Sequence, residues 1–171
     1  MSEPIQIRVA GLVNDSIVDG PGFRFTVFVQ GCPHHCEGCH NPETWAFQGG
    51  VWMTPDEIFA RAAKNPLLSG FTFSGGEPFA QSLGLLPLAK LIREHGYELA
   101  IYSGYLYEEI VADQEKCRLL EYANTLVDGR FVLARRNLLL KFKGSNNQRV
   151  IDVPASLAAG RVVLDETDRW N

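Results

Sequence analysis

Three cysteines stand close together in the first third of the chain, with the spacing C-x3-C-x2-C. They are Cys32, Cys36 and Cys39, and three thiolates in one short loop can converge on one inorganic centre. An ordinary cubane iron–sulfur cluster takes four cysteines, so three would leave one iron without a protein ligand. The spacing favours a [4Fe-4S] cluster whose open iron binds a further molecule.

Two other interpretations of these cysteines remain open from the residues alone. A structural zinc site would add His34, His35 or His40 to the three thiolates, although zinc ligands usually come as two pairs separated by a long stretch. A ferredoxin-like electron carrier would take Cys117 as its fourth ligand. The neighbours of Cys117 have helical spacing, which is typical of a packing residue.

Strand and helix patterns alternate along the whole chain. Runs with a period of two, or short β-branched and aromatic runs, predict strands at 5–9, 23–29, 70–74, 97–102, 125–127, 149–153 and 161–164. Capping signals and apolar residues at helical spacing predict helices from Thr54, over 85–95 and over 105–122, the last as one or two helices. The alternation predicts one α/β domain over 1–171, an open partial (β/α) barrel with mostly parallel strands.

The least ordinary segments of the chain each follow a predicted strand. They are the cysteine loop 32–39, the glycine-rich turn 74–77, the pair 103–104 and the segment 128–130. In α/β sheets and barrels, ligands bind at the carboxyl ends of the strands. We therefore expect all four segments to contribute to one site.

The composition restricts the classes of protein that the chain can belong to. Its 171 residues are 46% hydrophobic and 21% charged, without a long apolar run, which excludes a disordered chain and a membrane-spanning helix. A net charge of −4 argues against a nucleic-acid partner. Met1–Gln6 have no secretory signal pattern, so we expect a cytoplasmic protein.

Positive charge is concentrated late in the chain. The stretch 130–149, called the basic loop below, has no Asp or Glu, and its six basic residues are Arg130, Arg135, Arg136, Lys141, Lys143 and Arg149. The rest of the chain is acidic. A like-charge run can simply be a solvated face, and the alternative that we pursue is a docking surface for an acidic partner.

The motifs together resemble a known family. The cysteine spacing after one strand and Gly75-Gly76-Glu77 after the next resemble the radical S-adenosylmethionine superfamily, and the segments 19–24 and 39–45 resemble its glycyl-radical-activating branch. Within that branch, the short length and the segments 126–131 and 143–148 are similar to members that activate anaerobic ribonucleoside-triphosphate reductase. Activators of other glycyl-radical enzymes, such as the longer pyruvate formate-lyase activator, are the nearest alternative.

The resemblance implies a ligand set for two cofactors. Cys32, Cys36 and Cys39 would hold the [4Fe-4S] cluster, and S-adenosylmethionine would chelate its fourth iron. The other cofactor contacts implied are Gly75, Gly76 and Glu77 to the methionine amino group, Gly38 and His40 near the adenine, Ser103 near the ribose or methionine, and Asp128 with Arg130 near the methionine carboxylate. Arg130 stands where the family pattern has lysine, which keeps the charge and changes the geometry.

The resemblance also implies a mechanism and its partners. Reductive cleavage of S-adenosylmethionine would give a 5′-deoxyadenosyl radical, which would take a hydrogen atom from a glycine of the reductase's glycyl-radical subunit. The acidic partner expected at the basic loop would be either the reductase or a flavodoxin-type electron donor. The cofactors carry the difficult chemistry, so no side chain is predicted to act as an acid, base or nucleophile.

Overall fold

Seven strands form one mixed sheet in the computed structural model, which describes residues 5–171. The strands are β1 (Ile7–Ser16), β2 (Arg24–Val29), β3 (Val51–Met53), β4 (Gly70–Gly75), β5 (Glu98–Tyr102), β6 (Thr125–Asp128) and β7 (Arg149–Asp152), in the order β3-β1-β2-β4-β5-β6-β7. β2, β4, β5 and β6 are parallel, and β1 and β7 run antiparallel to them at either side. The prediction of an α/β fold with mostly parallel strands is confirmed.

The described part of the chain contains five α-helices: α1 (Pro55–Ala62), α2 (Ser82–Glu94), α3 (Tyr107–Val111), α4 (Gln114–Leu120) and α5 (Val153–Ala159). α1 begins as predicted, because the Thr54 hydroxyl accepts a hydrogen bond from the Glu57 amide at 3.2 Å. The stretch 105–122 contains two helices. Within residues 5–171, none of the helices has the length and apolar character needed to cross a membrane. Of the segment read for a secretory signal, residues 1–4 lie outside the described part.

The strand predicted over 161–164 is wrong. Leu164 makes only an isolated bridge with Ile151. The Val163 amide donates to the Ser156 hydroxyl at 2.8 Å, so a side chain of α5 takes a donor that a longer ladder would need, and only the Val163 carbonyl is left to accept a backbone amide, that of Asp152. The short elements β3 and α5 were not predicted.

The two faces of the sheet have different cores. Alternate side chains of the parallel strands, among them Phe25, Phe71, Leu99 and Leu126, are fully buried in the large core that faces the helices. On the opposite face a smaller cluster contains Ala100, Val127, Val150 and Trp170, with Tyr102 and Phe142 packed against it. Trp170 is buried, so the C-terminal segment covers part of this second face.

Candidate functional site

A small cavity of about 110 Å³ lies at the carboxyl ends of the parallel strands. Its lining includes Cys32, Cys36, Cys39, Gly75, Gly76, Ser103, Gly104 and Gly129. A larger cavity of about 590 Å³ shares Cys39, Ser74, Tyr102, Phe131 and Gln148 with it. The structure thus brings the four unusual segments together at one edge of the sheet, as the sequence predicts.

The cysteine loop is held at its start by backbone hydrogen bonds. The amides of Gly31 and Cys32 donate to the carbonyls of Thr44 and Trp45 at 2.7 and 3.1 Å. All three thiols are half-buried, and burial raises the pKa of Cys32 and of Cys36. Because thiolates are the metal ligands, binding of iron has to displace protons from these thiols.

The histidines near the loop have other partners. His34 contacts the Glu77 carboxylate, His35 stacks on Trp45 with ring centroids 4.7 Å apart, and His40 packs against Phe131. In the described part of the chain, no three His, Cys, Asp or Glu side chains converge closely enough to hold a single metal ion. Three thiols spaced around one cavity fit a multi-iron cluster better than a tetrahedral zinc site.

The glycines of the turn after β4 are required by close backbone packing. The Gly75 φ angle is +97°, a conformation that favours glycine. A Cβ atom on Gly76 would lie 2.3 Å from the carbonyl oxygen of Gly31. The amides of Gly76 and Glu77 donate to Val29 and Gly31, both at 2.8 Å, and so join this turn to the start of the cysteine loop.

Gly76→Ala is expected to lower the free energy of unfolding by about 1–3 kcal/mol, the usual cost of overpacking, because the added methyl group would meet backbone that cannot rotate away. Thermal unfolding of the apoprotein measures this. Gly11→Ala is the control, since a Cβ there would have nothing within 4 Å. Equal stability of the two variants would contradict the prediction.

Glu77 is fully buried and is hydrogen-bonded to residues that line the small cavity. Its carboxylate accepts hydrogen bonds from the Ser103 hydroxyl, the Gly104 and Phe79 amides and the His34 ring. The side chains of Glu77 and Ser103 are therefore already engaged in hydrogen bonds within the protein. The backbone of Gly75 and Gly76 faces the cavity, and its contact with the methionine amino group stays a prediction.

Asp128 and Arg130 do not form a pair. Asp128 has the same alternation as Leu126, so it faces the helices, where its carboxylate accepts the Tyr107 amide at 2.7 Å and the guanidinium of Arg149. These bonds raise the pKa of Arg149. Arg130 is exposed, and its charge lowers the pKa of Cys36, against the dominant effect of burial. Arg130 thus stays a predicted cofactor contact, and the Asp128 carboxylate is turned away from the cavity.

The two residues predicted near the adenine are exposed. Gly38 has a φ angle of +76°, and a Cβ there would lie 2.8 Å from a methyl carbon of Leu133. His40 lines the larger cavity beside Cys39. Their contact with S-adenosylmethionine stays a prediction.

Sequence reasoning missed several residues that line the cavities. Tyr102, Phe131 and Gln148 line both, and Asp19 lines the larger one. Tyr102 could have been predicted from the alternation of side chains along β5, because Ala100 and Tyr102 share the face opposite the helices. Burial raises the pKa of Tyr102.

Gln148 closes the base of the basic loop. Its side-chain amide donates to the Gly129 carbonyl at 3.0 Å and accepts from the amides of Gly144 and Ser145. At the tip of the loop, Leu138 and Leu139 are 84% and 93% exposed. The base of the loop therefore belongs to the site, and its tip is an apolar surface.

Cys117 lies on α4, apart from the three clustered cysteines. It lines neither of the two cavities described above. The structure therefore gives no support to a ferredoxin-type site with Cys117 as the fourth ligand.

The chain resembles known proteins over most of its length. A family model described as a 4Fe-4S single cluster domain matches residues 18–151. The anaerobic ribonucleoside-triphosphate reductase-activating proteins of Haemophilus influenzae and Escherichia coli K12 are 31% and 34% identical, over 77% and 78% of this chain and 89% and 91% of theirs. The pyruvate formate-lyase-activating enzyme of Clostridium pasteurianum is 40% identical over 61% of this chain and 48% of its own.

The three-cysteine cavity on an α/β sheet and the matching family model define a protein with a single [4Fe-4S] cluster. More narrowly, the identity and coverage of the relatives show that the chain belongs to the family of anaerobic ribonucleoside-triphosphate reductase-activating proteins.

Proposed function

We propose that this protein cleaves S-adenosylmethionine reductively and installs a glycyl radical on an anaerobic ribonucleoside-triphosphate reductase. The observation that carries the proposal is that three cysteines line one cavity and Cys117 does not. Three protein ligands leave a cubane with one open iron, which is where a further molecule can bind. The names of the relatives support the choice of partner.

The residues of the small cavity suit these cofactors. Cys32, Cys36 and Cys39 would hold the cluster, which with S-adenosylmethionine supplies the reductive chemistry when both are bound. The Gly75–Gly76 backbone would orient the methionine portion and the Arg130 guanidinium would receive its carboxylate. Gly38 and His40 would flank the adenine, and Phe131 would help to exclude water from the junction of the two cavities.

The fold proposed is the open partial barrel of the radical S-adenosylmethionine type, as one domain over 1–171. Four parallel strands with helices on one face and a ligand cavity at their carboxyl ends support it. The basic loop borders the larger cavity through Lys143 and Gly144. We assign its exposed charge to docking of the reductase or of a flavodoxin-type electron donor.

Anaerobic reconstitution with iron and sulfide tests the function. The protein is then incubated with S-adenosylmethionine, a chemical reductant and the reductase, and 5′-deoxyadenosine and the glycyl radical signal in electron paramagnetic resonance are measured. The proposal predicts both products. A colourless protein without sulfide, or a cluster whose spectrum S-adenosylmethionine leaves unchanged, would contradict it.

Pyruvate formate-lyase is the second partner to include in this assay, because its activator from Clostridium pasteurianum shares the greatest identity among the relatives named above. A glycyl radical on pyruvate formate-lyase and none on the reductase would support the proposed radical chemistry but identify pyruvate formate-lyase as the partner.

A further inference from the structure

The Glu77 carboxylate connects three loops through hydrogen bonds. It accepts hydrogen bonds from His34 Nε2 at 2.7 Å, from the Gly104 amide at 2.8 Å, from Ser103 Oγ at 2.9 Å to either oxygen, and from the Phe79 amide at 3.0 Å. A carboxylate offers about four lone-pair sites. Four donor groups therefore occupy this buried carboxylate and leave no site free for the ammonium group of a cofactor.

His34 connects this carboxylate to the cysteine loop, since it lies between Cys32 and Cys36. Its side chain is 4% exposed, and its ring packs against the Tyr105 ring in a T-shaped arrangement, with ring centroids 4.5 Å apart. A Cβ atom on Gly104 would lie 2.4 Å from His34 Cδ2, so glycine at 104 makes room for the imidazole. His34 is thus enclosed by the loop that follows β5.

We propose that Glu77 and His34 form a clamp that holds the cysteine loop against the strand ends. In this role Glu77 is a positioning residue for the cluster ligands and not a contact of the methionine amino group. The Glu77–His34 bond is short and includes a carboxylate, which makes it one of the stronger kinds of hydrogen bond. It spans 43 positions of sequence, so it restricts the loop where its own local bonds cannot.

The clamp deepens the proposed function, because it concerns the loop that would hold the iron–sulfur cluster. Residues outside the ligand set that orient metal ligands typically change metal affinity by about 10–100-fold when they are replaced. The two roles open to Glu77 therefore give different results. A positioning residue affects retention of iron, and a cofactor contact affects the affinity for S-adenosylmethionine.

A double-mutant cycle on His34→Ala and Glu77→Gln tests the clamp. The measured quantities are iron and sulfide per chain after anaerobic reconstitution, and the rate at which a chelator removes the iron. Each single variant should lose iron about tenfold faster than the original protein. The double variant should be no worse than the more severe single one, because both changes act on the same bond: His34→Ala removes the donor, and Glu77→Gln replaces the charged acceptor with a neutral amide.

Three further variants sharpen the cycle. His34→Gln keeps an N–H donor on the side chain and should restore part of the retention. His35→Asn changes a histidine of the same loop that stacks on Trp45, at a positive φ that asparagine tolerates, and should leave iron release nearly unchanged. If Glu77→Gln does not fold, His34→Ala and His34→Gln decide alone, because loss of iron in the first and partial retention in the second test the same bond from its other end.

Two results would overturn the clamp. One is iron loss that multiplies in the double variant, as it does for independent residues. The other is a Glu77→Gln protein with full iron content and weakened binding of S-adenosylmethionine, which would show that Glu77 contacts the cofactor. An original protein that takes up no cluster would refute the proposed function and the clamp together, whereas failure of the clamp alone leaves radical formation intact.

Discussion

Replacing Cys32, Cys36 or Cys39 with alanine is expected to abolish formation of 5′-deoxyadenosine. Each thiol lines the cavity at the strand ends. A cubane with only two protein ligands would be bound too weakly to stay in place. The loss should exceed the roughly 10–100-fold effect of removing a supporting residue. The measurement is 5′-deoxyadenosine formed with a chemical reductant, together with iron content.

Cys117→Ala is the matched control, because it removes a half-buried thiol of the same chain that lies on α4. It should keep the cluster and the cleavage activity. If Cys117→Ala lost iron as completely as Cys36→Ala, four cysteines would hold the cluster. The protein would then be an electron carrier without an open iron.

The location of the site was predictable because it follows from chain order alone. Parallel strands end at one edge, so segments that follow β2, β4, β5 and β6 must meet there, whatever their side chains do. The cysteine loop, the glycine turn and Gly129 lie together for this reason. The capping residue Thr54 was predictable for the same kind of reason, since its bond to Glu57 is local.

The directions of individual side chains were harder to predict. Asp128 lies at the correct strand end, but the pleat turns it toward the helices, where Arg149, 21 positions away, accompanies it. Glu77 is similar, because three of its four donors come from loops 26 to 43 positions away. A motif read from the sequence cannot contain such partners, which only the folded sheet brings into contact.

The basic loop combines both cases. Its positive charge is evident from the composition, but only the structure shows which of its basic residues are paired within the chain and which are exposed. Arg149 already forms ion pairs with Asp128 and Glu108, so its charge is balanced within the chain. Arg135, Arg136 and Lys141 are exposed, near the apolar tip at 138–139. A surface of this composition beside the larger cavity is suited to an acidic partner with an apolar centre.

Reversing Arg135, Arg136 and Lys141 to glutamate is therefore expected to slow radical transfer to the reductase at low ionic strength. Electrostatic steering typically changes association rates by about 10–1000-fold, and the effect should shrink as salt is added. Formation of 5′-deoxyadenosine with a chemical reductant should be unchanged, because these side chains lie outside the small cavity. Rates of glycyl radical formation at two salt concentrations provide the measurement.

The matched control reverses Arg61, Lys64 and Lys90, which are also exposed and give the same change in net charge. If this control slowed radical transfer as much as the loop variant, net charge alone would explain the effect, and the basic loop would be only a solvated face. If neither variant changed the rate, charge would have no part in docking, and the apolar tip at 138–139 would be the part of the loop left to contact the reductase.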